Sequence, residues 1–369
     1  MHIFHRRWLT WWLLPLAAAF RGVVALRNFL YDHRLRSGLK LDVPVISVGN
    51  LTVGGTGKTP AVEYVARWLQ EQHRRPAIVT RGYGREVRGT VVVADGHRIC
   101  AEVVAGGDEA LQLARRLPGT VVIADERKHR GALHAATHFG VDAIIIDDGF
   151  QHRQLQRDFD VVLIDAAVFH ANRWMLPAGP FREPLTTLRR ADAVLLTRVD
   201  KSAPQGLAKL EALCARYQGK IPGRAVIKAA FFENLLTGAR QPLESMRGTR
   251  VAAVCGIAQP ARFFESLTQH GADLVARRAL ADHHPFAADE IRELLALAAA
   301  RNAAAVVITE KDATKWRSHV EGAQLPVLVL RVEFCPLPPL AWLEGELRRR
   351  ISADRPGGGA IAVHAQAPT

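Results

Sequence analysis

One stretch near residue 50 constrains the fold more than any other, because an apolar segment leads there through a glycine-rich turn into a helical pattern. Residues 43–60 read Val-Pro-Val-Ile-Ser-Val-Gly-Asn-Leu-Thr-Val-Gly-Gly-Thr-Gly-Lys-Thr-Pro. The pattern predicts a buried strand at 43–48 and a helix at 58–72. Glycines let successive backbone N–H groups point at one anion, and the helix N-terminus adds a partial positive charge. The turn is therefore expected to bind phosphate.

The predicted phosphate site comprises the turn and the first two helical residues: Thr52, Val53, Gly54, Gly55, Thr56, Gly57, Lys58 and Thr59. Lys58 is expected to reach the β- and γ-phosphates of a nucleotide, and the Thr59 hydroxyl to ligate Mg²⁺. Thr52 occupies the position of the first glycine in the usual P-loop motif. The turn instead resembles the variant loop of the ParA/MinD-like ATPases. The additional lysine of that variant is absent, because Val53 occupies its position. The alternative is an ordinary glycine-rich turn between a strand and a helix. If the turn binds a nucleotide, its residues alone do not distinguish ATP from GTP.

Short segments rich in valine and isoleucine alternate with helical patterns after the turn. Strands are predicted at residues 77–80, 90–94, 120–124, 143–147, 161–165 and 193–197, and helices at 108–117 and 127–139. Such alternation predicts an α/β fold of the P-loop NTPase type, with a mostly parallel sheet flanked by helices.

A polar segment with several prolines and glycines, residues 201–223, is expected to separate this unit from a smaller second α/β domain. In the second domain, strands are predicted at 250–255, 304–309 and 326–332, and helices at 260–270, 287–301 and 340–350. The expected organisation is an N-terminal interfacial segment at 1–35, a nucleotide-binding domain at 36–218, the second domain at 219–350 and a disordered tail at 351–369.

Charge and cysteine content restrict the partners. The 369-residue chain has a formal net charge of +13, which favours anionic partners. Its arginines are dispersed and accompany no nucleic-acid-binding motif, so nucleic acid is not an expected partner, and no protein partner is evident. The four cysteines lie far apart without a C-x-x-C pair, which argues against a disulfide framework or a zinc site.

The N-terminal segment combines arginines, tryptophans and a short apolar run. Arg6 and Arg7 precede thirteen mostly apolar residues, 8–20, and Arg21 then interrupts the run. A bilayer span needs about 20 such residues. A cleaved signal peptide has a similar pattern, but a phosphate loop for a nucleotide belongs in the cytoplasm. Helices lying in the membrane interface are expected, with a soluble helical hairpin as the alternative.

An apolar strand that ends in two aspartates is the second strong motif, with Asp147 and Asp148 in the run Ile-Ile-Ile-Asp-Asp-Gly-Phe-Gln-His at 144–152. P-loop enzymes bring a carboxylate to Mg²⁺ in this way. Asp147 is therefore the expected metal ligand beside Thr59, and Asp148 is expected to orient a water molecule or a sugar. A common strand-end turn is the alternative.

Other charged residues follow predicted strands or begin predicted helices. Arg81 and Tyr83 follow the strand at 77–80, at the sheet edge where parallel sheets bind ligands. Asp108, after two glycines, is either a helix cap or a carboxylate that faces the γ-phosphate. Arg182 and Glu183 lie in a proline-braced loop. Residues 197–200, Thr-Arg-Val-Asp, match the guanine-binding motif of GTPases only by chance, since its lysine is absent.

Adjacent histidines occur in the second domain, in Asp-His-His-Pro-Phe at 282–286. Neighbours in sequence rarely ligate one metal ion, so a single histidine that carries a proton is favoured. The strand-end Thr-Glu-Lys-Asp-Ala at 309–313 is interpreted as a salt-bridged turn.

Taken together, these motifs resemble the tetraacyldisaccharide 4′-kinase family of lipid A biosynthesis. The resemblance is carried, in the family's order, by the segments at 50–60, 81–84, 107–109, 147–152, 176–184, 282–283 and 309–313. It implies a membrane-associated enzyme that moves the γ-phosphoryl group of ATP to the 4′-hydroxyl of a tetraacylated glucosamine disaccharide 1-phosphate, giving lipid IVA. The implied location is the cytoplasmic face of the inner membrane, as a peripheral or monotopic protein.

The resemblance also implies roles for individual residues. Asp108 becomes the candidate catalytic base with His283 as its partner, and Lys58 assists catalysis. Arg81, Tyr83, Asp148, Arg182 and Glu183 become candidate substrate-binding residues, with ATP and Mg²⁺ as cofactors. The rival interpretation is a ParA/MinD-like or metallochaperone-type NTPase switch.

Overall fold

The computed structural model describes residues 7–169 and 173–352, and the side chains of 11–169 and 173–351. The first six residues of the predicted interfacial segment, and the predicted tail from residue 353, lie outside the described residues. The helices are α1 Arg7–Asp32, α2 Lys58–Glu71, α3 Val103–Gly106, α4 Asp108–Arg116, α5 Lys128–His138, α6 Pro204–Gln218, α7 Pro260–Gln269, α8 Ala288–Ala300, α9 Glu310–Trp316 and α10 Ala341–Ser352. The strands are β1 Val45–Asn50, β2 Pro76–Thr80, β3 Val91–Asp95, β4 Val121–Ala124, β5 Ala143–Asp147, β6 Phe159–Asp165, β7 Ala193–Thr197, β8 Gly223–Asn234, β9 Arg240–Gln241, β10 Arg250–Cys255, β11 Asp273–Ala279, β12 Ala305–Thr309 and β13 Val327–Pro336.

The described residues form one mixed sheet that is mostly parallel. Its order is β11-β10-β12-β13-β8-β7-β6-β1-β5-β2-β4-β3, with β9 paired to β8. The pairings of β3 with β4, β13 with β8, and β8 with β9 are antiparallel. This topology confirms the predicted α/β class.

The central strands are apolar on both sides because helices cover both faces. Every residue of β1 and β5 is buried. Ile145 packs in one hydrophobic cluster with Val62 and Leu69 of α2. Its neighbours Ile144 and Ile146 pack in another cluster on α5. Alternation along a strand thus places successive side chains against different helices, and the carboxyl ends of β1, β5 and β2 meet at one edge.

Most predicted elements are confirmed, but three differ. The polar segment expected to be a boundary contains α6, which buries Leu210 and Cys214 and is therefore an amphipathic surface helix. Strand β8 was not predicted, although it links the two halves of the sheet. Strand β11 was also missed, because an edge strand with Arg277 and Arg278 lacks an apolar pattern. The division into domains at residue 219 stays a prediction.

Residues 7–32 of the N-terminal segment form one continuous helix, and Arg21, which interrupts the apolar run, does not break it. Arginine has a good helix propensity, and at an exposed position it does not break a helix. Val24 and Ala17 are buried, whereas Trp12 is 79% exposed and Leu16 is 58% exposed. The stretch Trp11–Asp32 is long and apolar enough to cross a membrane by length and composition alone. α1 therefore packs one face on the protein and presents an apolar face outward.

We expect the double substitution Trp12→Glu and Leu16→Glu to lower binding to phospholipid vesicles by at least roughly 100-fold, because burying each such side chain contributes about 1.5–3 kcal/mol. Both side chains are exposed, so the fold should be unaffected. Vesicle sedimentation measures the change. Ile221→Glu, at a position 81% exposed elsewhere on the surface, is the matched control. Equal sedimentation of the double variant and the control would contradict an interfacial role for α1.

Candidate active site

The phosphate loop has the conformation that anion binding requires. It connects the carboxyl end of β1 to the first residue of α2, and Gly54 and Gly57 have φ values of 108° and 86°. Because Gly57 immediately precedes the helix in a left-handed conformation, the first N–H groups of α2 turn toward the loop. The Asn50 side chain donates to Thr56 Oγ1 at 2.9 Å and closes the loop across its base.

Residues at and just after the end of β7 brace the phosphate loop. Thr197 Oγ1 donates to the Thr56 carbonyl at 2.9 Å. Arg198 donates to the Gly55 carbonyl at 2.7 Å and to Asp165 at 2.6 Å. The weak Thr-Arg-Val-Asp match therefore marks a support for the phosphate loop. Sequence reasoning missed that role, because it depends on β7 lying two strands from β1 in the sheet.

Asp148 joins Lys58 to Arg182. Arg182 makes a two-pronged contact with the Asp148 carboxylate, at 2.8 and 2.7 Å, and Lys58 Nζ lies 3.7 Å from the same carboxylate. Burial would raise the pKa of Asp148, but the hydrogen bond from Arg182 and the nearby lysine charge outweigh it, so the pKa is lowered. Asp148 is thus a carboxylate that orients two cations at the mouth of the phosphate loop.

Asp147 is a buried carboxylate at the end of β5. Thr80 donates to its Oδ2 at 3.0 Å, whereas Oδ1 is buried with no hydrogen-bond partner among the described residues. Burial raises the pKa of Asp147. A buried carboxylate oxygen without a donor is costly unless a cation binds it. Asp147 therefore has the surroundings that suit a Mg²⁺ ligand. Thr59, the other expected ligand, is the second residue of α2 and follows the phosphate loop directly.

Lys128 was missed by the sequence analysis. It is the first residue of α5, it is buried, and its Nζ donates to the Asp147 carbonyl at 2.6 Å and to the Asp148 carbonyl at 2.7 Å. Burial lowers the pKa of Lys128, while the charges of the two aspartates oppose that change. Lys128 therefore fixes the backbone turn that presents both carboxylates, where Asp148 has a φ of 52°.

Asp108 and His283 are brought together from the two halves of the chain. His283 Nδ1 lies 2.9 Å from Asp108 Oδ2, and Lys311 Nζ lies 2.8 Å from His283 Nε2. These contacts suit the tautomer in which Nδ1 donates to Asp108 and Nε2 accepts from Lys311. Lys315 Nζ lies 3.2 Å from Asp108. Burial opposes ionisation of Asp108, but the His283 hydrogen bond and the lysine charges outweigh it, so its pKa is lowered.

Helix packing holds this pair in place. α4 begins at Asp108 and packs along α9, which supplies Lys311 and Lys315. At the far end of α4, Arg116 pairs with the buried carboxylate of Glu310 at 2.6 Å. The segment at 309–313, expected to be a salt-bridged turn, instead begins α9, which brings Lys311 to His283 and Lys315 to Asp108.

Tyr83 lies at the entrance to this pair. Its ring centroid is 4.4 Å from that of His283, and the ring is more than half exposed. Gly107 allows the two turns to approach closely, since a Cβ at residue 107 would lie 2.8 Å from the Tyr83 carbonyl oxygen. Arg81 is exposed next to it, at the end of β2. Both side chains are free to contact a ligand that enters from solvent.

Glu183 does not fit the expected contact with substrate. Its side chain is fully buried, and both carboxylate oxygens are bound by arginines, Arg27 of α1 and Arg190. The sequence prediction erred because both arginines come from other segments of the chain. Glu183 instead holds the loop that carries Arg182.

Glu109 is the second residue of α4 and follows Asp108 directly. Burial and the negative charge of Asp147 raise its pKa to about 7, with Lys311 opposing. The Glu109 carboxyl therefore interacts electrostatically with Asp147 and with the Asp108–His283 pair.

A glycine-rich turn between a strand and a helix N-terminus, with a buried strand-end carboxylate that has an unpartnered oxygen, defines a P-loop nucleotide-binding protein. The contact between Asp108 and His283 adds a group that is able to accept a proton, which favours a phosphotransferase over a switch NTPase.

Comparison with known proteins identifies the family. The model of the tetraacyldisaccharide-1-P 4′-kinase family matches residues 9–348. A tetraacyldisaccharide 4′-kinase from Anaeromyxobacter dehalogenans is 44% identical over 82% of this chain and 80% of its own length. One from Geobacter sulfurreducens is 39% identical over 89% and 90%. The chain belongs to the tetraacyldisaccharide 4′-kinase family, which excludes the rival switch interpretation.

A solved structure gives the same result for the fold. The LpxK crystal structure from Aquifex aeolicus, in complex with ATP, is 29% identical to this chain with a TM-score of 0.76. The alignment covers 93% of this chain and 99% of that one. The chain is therefore an ATP-dependent kinase of lipid A biosynthesis with a P-loop α/β fold.

Glu109→Gln is expected to stabilise the ligand-free protein more at about pH 8 than at about pH 5. The folded-state pKa of Glu109, about 7, is above its ordinary value of 4.5, so the folded protein binds more protons between these values. Stability is therefore lost as the pH rises through that window, and glutamine removes the loss. Thermal unfolding at both pH values measures it, with exposed Glu265→Gln as control. A shift independent of pH would contradict the assignment.

Proposed function

We propose that this chain transfers the γ-phosphoryl group of ATP to the 4′-hydroxyl of a tetraacylated glucosamine disaccharide 1-phosphate, giving lipid IVA at the cytoplasmic face of the inner membrane. The observation that carries the residue-level proposal is the 2.9 Å contact between Asp108 and His283. It supports a proton acceptor built from residues of both halves of the chain.

The phosphate loop and two cationic side chains hold the nucleotide. Backbone N–H groups of residues 54–59 receive the β- and γ-phosphates, and Lys58 and Arg182 balance their charge. Asp148 keeps both cations in place before ATP arrives, through contacts at 3.7 Å to Lys58 and 2.7 Å to Arg182. Preorganised charges stabilise the transferred group without reorganisation during the reaction.

Asp147 and Thr59 would hold Mg²⁺. The unpaired Oδ1 of Asp147 supports this assignment. No cluster of three or more metal-binding side chains occurs in the described part of the chain, which suits a cation held largely by nucleotide phosphates. Bound there, Mg²⁺ would neutralise charge on the β- and γ-phosphates.

The Asp108–His283 pair removes the proton from the acceptor. Asp108 is ionised, since its pKa is lowered, and it accepts the hydrogen of the 4′-hydroxyl as that oxygen forms its bond to the γ-phosphorus. The bond from the γ-phosphorus to the bridging oxygen breaks, and ADP leaves. His283 stabilises the proton on the pair, and Tyr83 and Arg81 border the sugar. Both halves of the chain must therefore be in place for transfer.

Membrane docking solves the problem of a four-chain lipid substrate. Extracting acyl chains into water costs about 0.8 kcal/mol for each CH₂ group exposed. The exposed apolar face of α1 lets the enzyme reach the headgroup while the chains stay in the bilayer. The proposed association is peripheral or monotopic.

The transfer itself is tested with ATP labelled at the γ-phosphate and membranes that contain the disaccharide 1-phosphate lipid. Label is expected in the lipid fraction, at the 4′-position. Label released only as inorganic phosphate, with none in lipid, would contradict kinase activity.

Asp108→Asn and His283→Ala are expected to lower kcat by roughly 100-fold or more while changing ATP affinity little, because both act on the acceptor proton. The matched control is His284→Ala. That neighbouring histidine contacts Glu290 at 2.7 Å instead. Steady-state kinetics and nucleotide binding give the two values. A parallel loss of ATP affinity would assign the pair to nucleotide binding.

A further inference from the structure

The N-terminal helix contributes a charged group to the interior of the protein. Arg27 of α1 is half-buried and donates to the carboxylate of Glu183. Val24 already packs in the core beside Phe20, whereas Trp12 and Leu16 are exposed, so Arg27 adds a charged contact to an apolar one. The ion pair therefore ties α1 to one particular loop.

Glu183 is held from the other side as well. Arg190 donates to its second carboxylate oxygen, and the Arg190 guanidinium lies 4.5 Å from the Phe150 ring centroid. The Glu183 side chain is fully buried. A buried carboxylate is costly unless it is paired, so two arginines and one glutamate form a single unit whose parts depend on one another.

The loop beside Glu183 pairs with the phosphate loop. The Arg182 N–H donates to the Leu51 carbonyl at 2.7 Å, and the Val53 N–H donates to the Pro180 carbonyl at 2.8 Å. The Arg182 side chain meanwhile holds Asp148. A chain of direct contacts thus runs from α1 through Glu183 to the backbone of the nucleotide site.

We propose that Arg27 and Glu183 are positioning residues for Arg182 and the phosphate loop, so that α1 forms part of the framework of the active site besides contacting the membrane. Arg27 fixes Glu183, Glu183 fixes residues 180–183, and these hold the first half of the phosphate loop through two backbone hydrogen bonds. Loss of α1 then impairs chemistry even where membrane binding is irrelevant. The kinetic test of this inference rests on the proposed function.

The structure offers a matched control. Arg153 also ties α1 to the protein, through Asp32 at 2.8 Å and the Asn28 carbonyl at 3.1 Å, and its guanidinium lies 5.1 Å from the Tyr31 ring. All these partners belong to α1, so Arg153→Gln weakens the attachment of the helix without touching Glu183. Arg27→Met removes the tether that ends at the site.

Hydrogen exchange tests the inference independently of activity. In Arg27→Met, the amides of Val53 and Arg182 are expected to exchange at least about tenfold faster than in the wild type, because opening of the paired loops controls their exchange. In Arg153→Gln they should exchange as in the wild type. Equal protection in wild type and Arg27→Met would overturn the proposal, and so would equal loss in both variants.

The kinetic arm uses a water-soluble acceptor, a short-acyl disaccharide 1-phosphate, so that membrane affinity does not enter. Arg27→Met should lower kcat roughly 10- to 100-fold, Arg27→Lys should restore part of it, and Arg153→Gln should match the wild type. Arg27→Met combined with Glu183→Gln should be no worse than Glu183→Gln alone. Wild-type kcat in Arg27→Met would refute the positioning role, whereas a wild type inactive on every acceptor would refute the proposed function instead.

Discussion

Two adjacent carboxylates at the end of a buried strand need positive charge beside them, and the rest of the site is arranged to supply it. Asp147 and Asp148 follow apolar residues of β5, where water cannot solvate them fully, so cations must be supplied by the protein or by ligands. Lys58 and Arg182 contact the Asp148 carboxylate, and Lys128 donates to the backbone carbonyls of both aspartates. The Asp147 carboxylate accepts only from Thr80 among the described residues, and its second oxygen is the point where a metal ion is needed.

The local parts of this arrangement were predictable from the sequence and the distant parts were not. Glycine spacing and a Lys-Thr pair indicate a phosphate loop because its conformation depends on nearby residues. Asp147 was predictable because it ends an apolar run. Lys128 was not, because its role arises only when α5 packs beside β5, and Lys315 acts from the other half of the chain. The role of Glu183 was misjudged because burial between Arg27 and Arg190 is a tertiary property.

The proposed membrane contact and the proposed framework of the active site share one structural element, α1. The exposed face of α1 carries Trp12 and Leu16, whereas its inner face carries Val24 and Arg27. A single helix thus connects the exposed apolar surface with the loop that holds Arg182.

The proton-accepting pair is divided between the two halves of the sheet, and this has a thermodynamic consequence. Within the described residues, β7 and β8 pair through only Gly223 and Arg224, so few backbone hydrogen bonds join the halves. Any ligand that contacts both halves of the sheet favours the arrangement in which Asp108 and His283 are in contact. Nucleotide and sugar should then bind with positive cooperativity, and linkage makes the gain reciprocal: each raises the affinity of the other by the same factor.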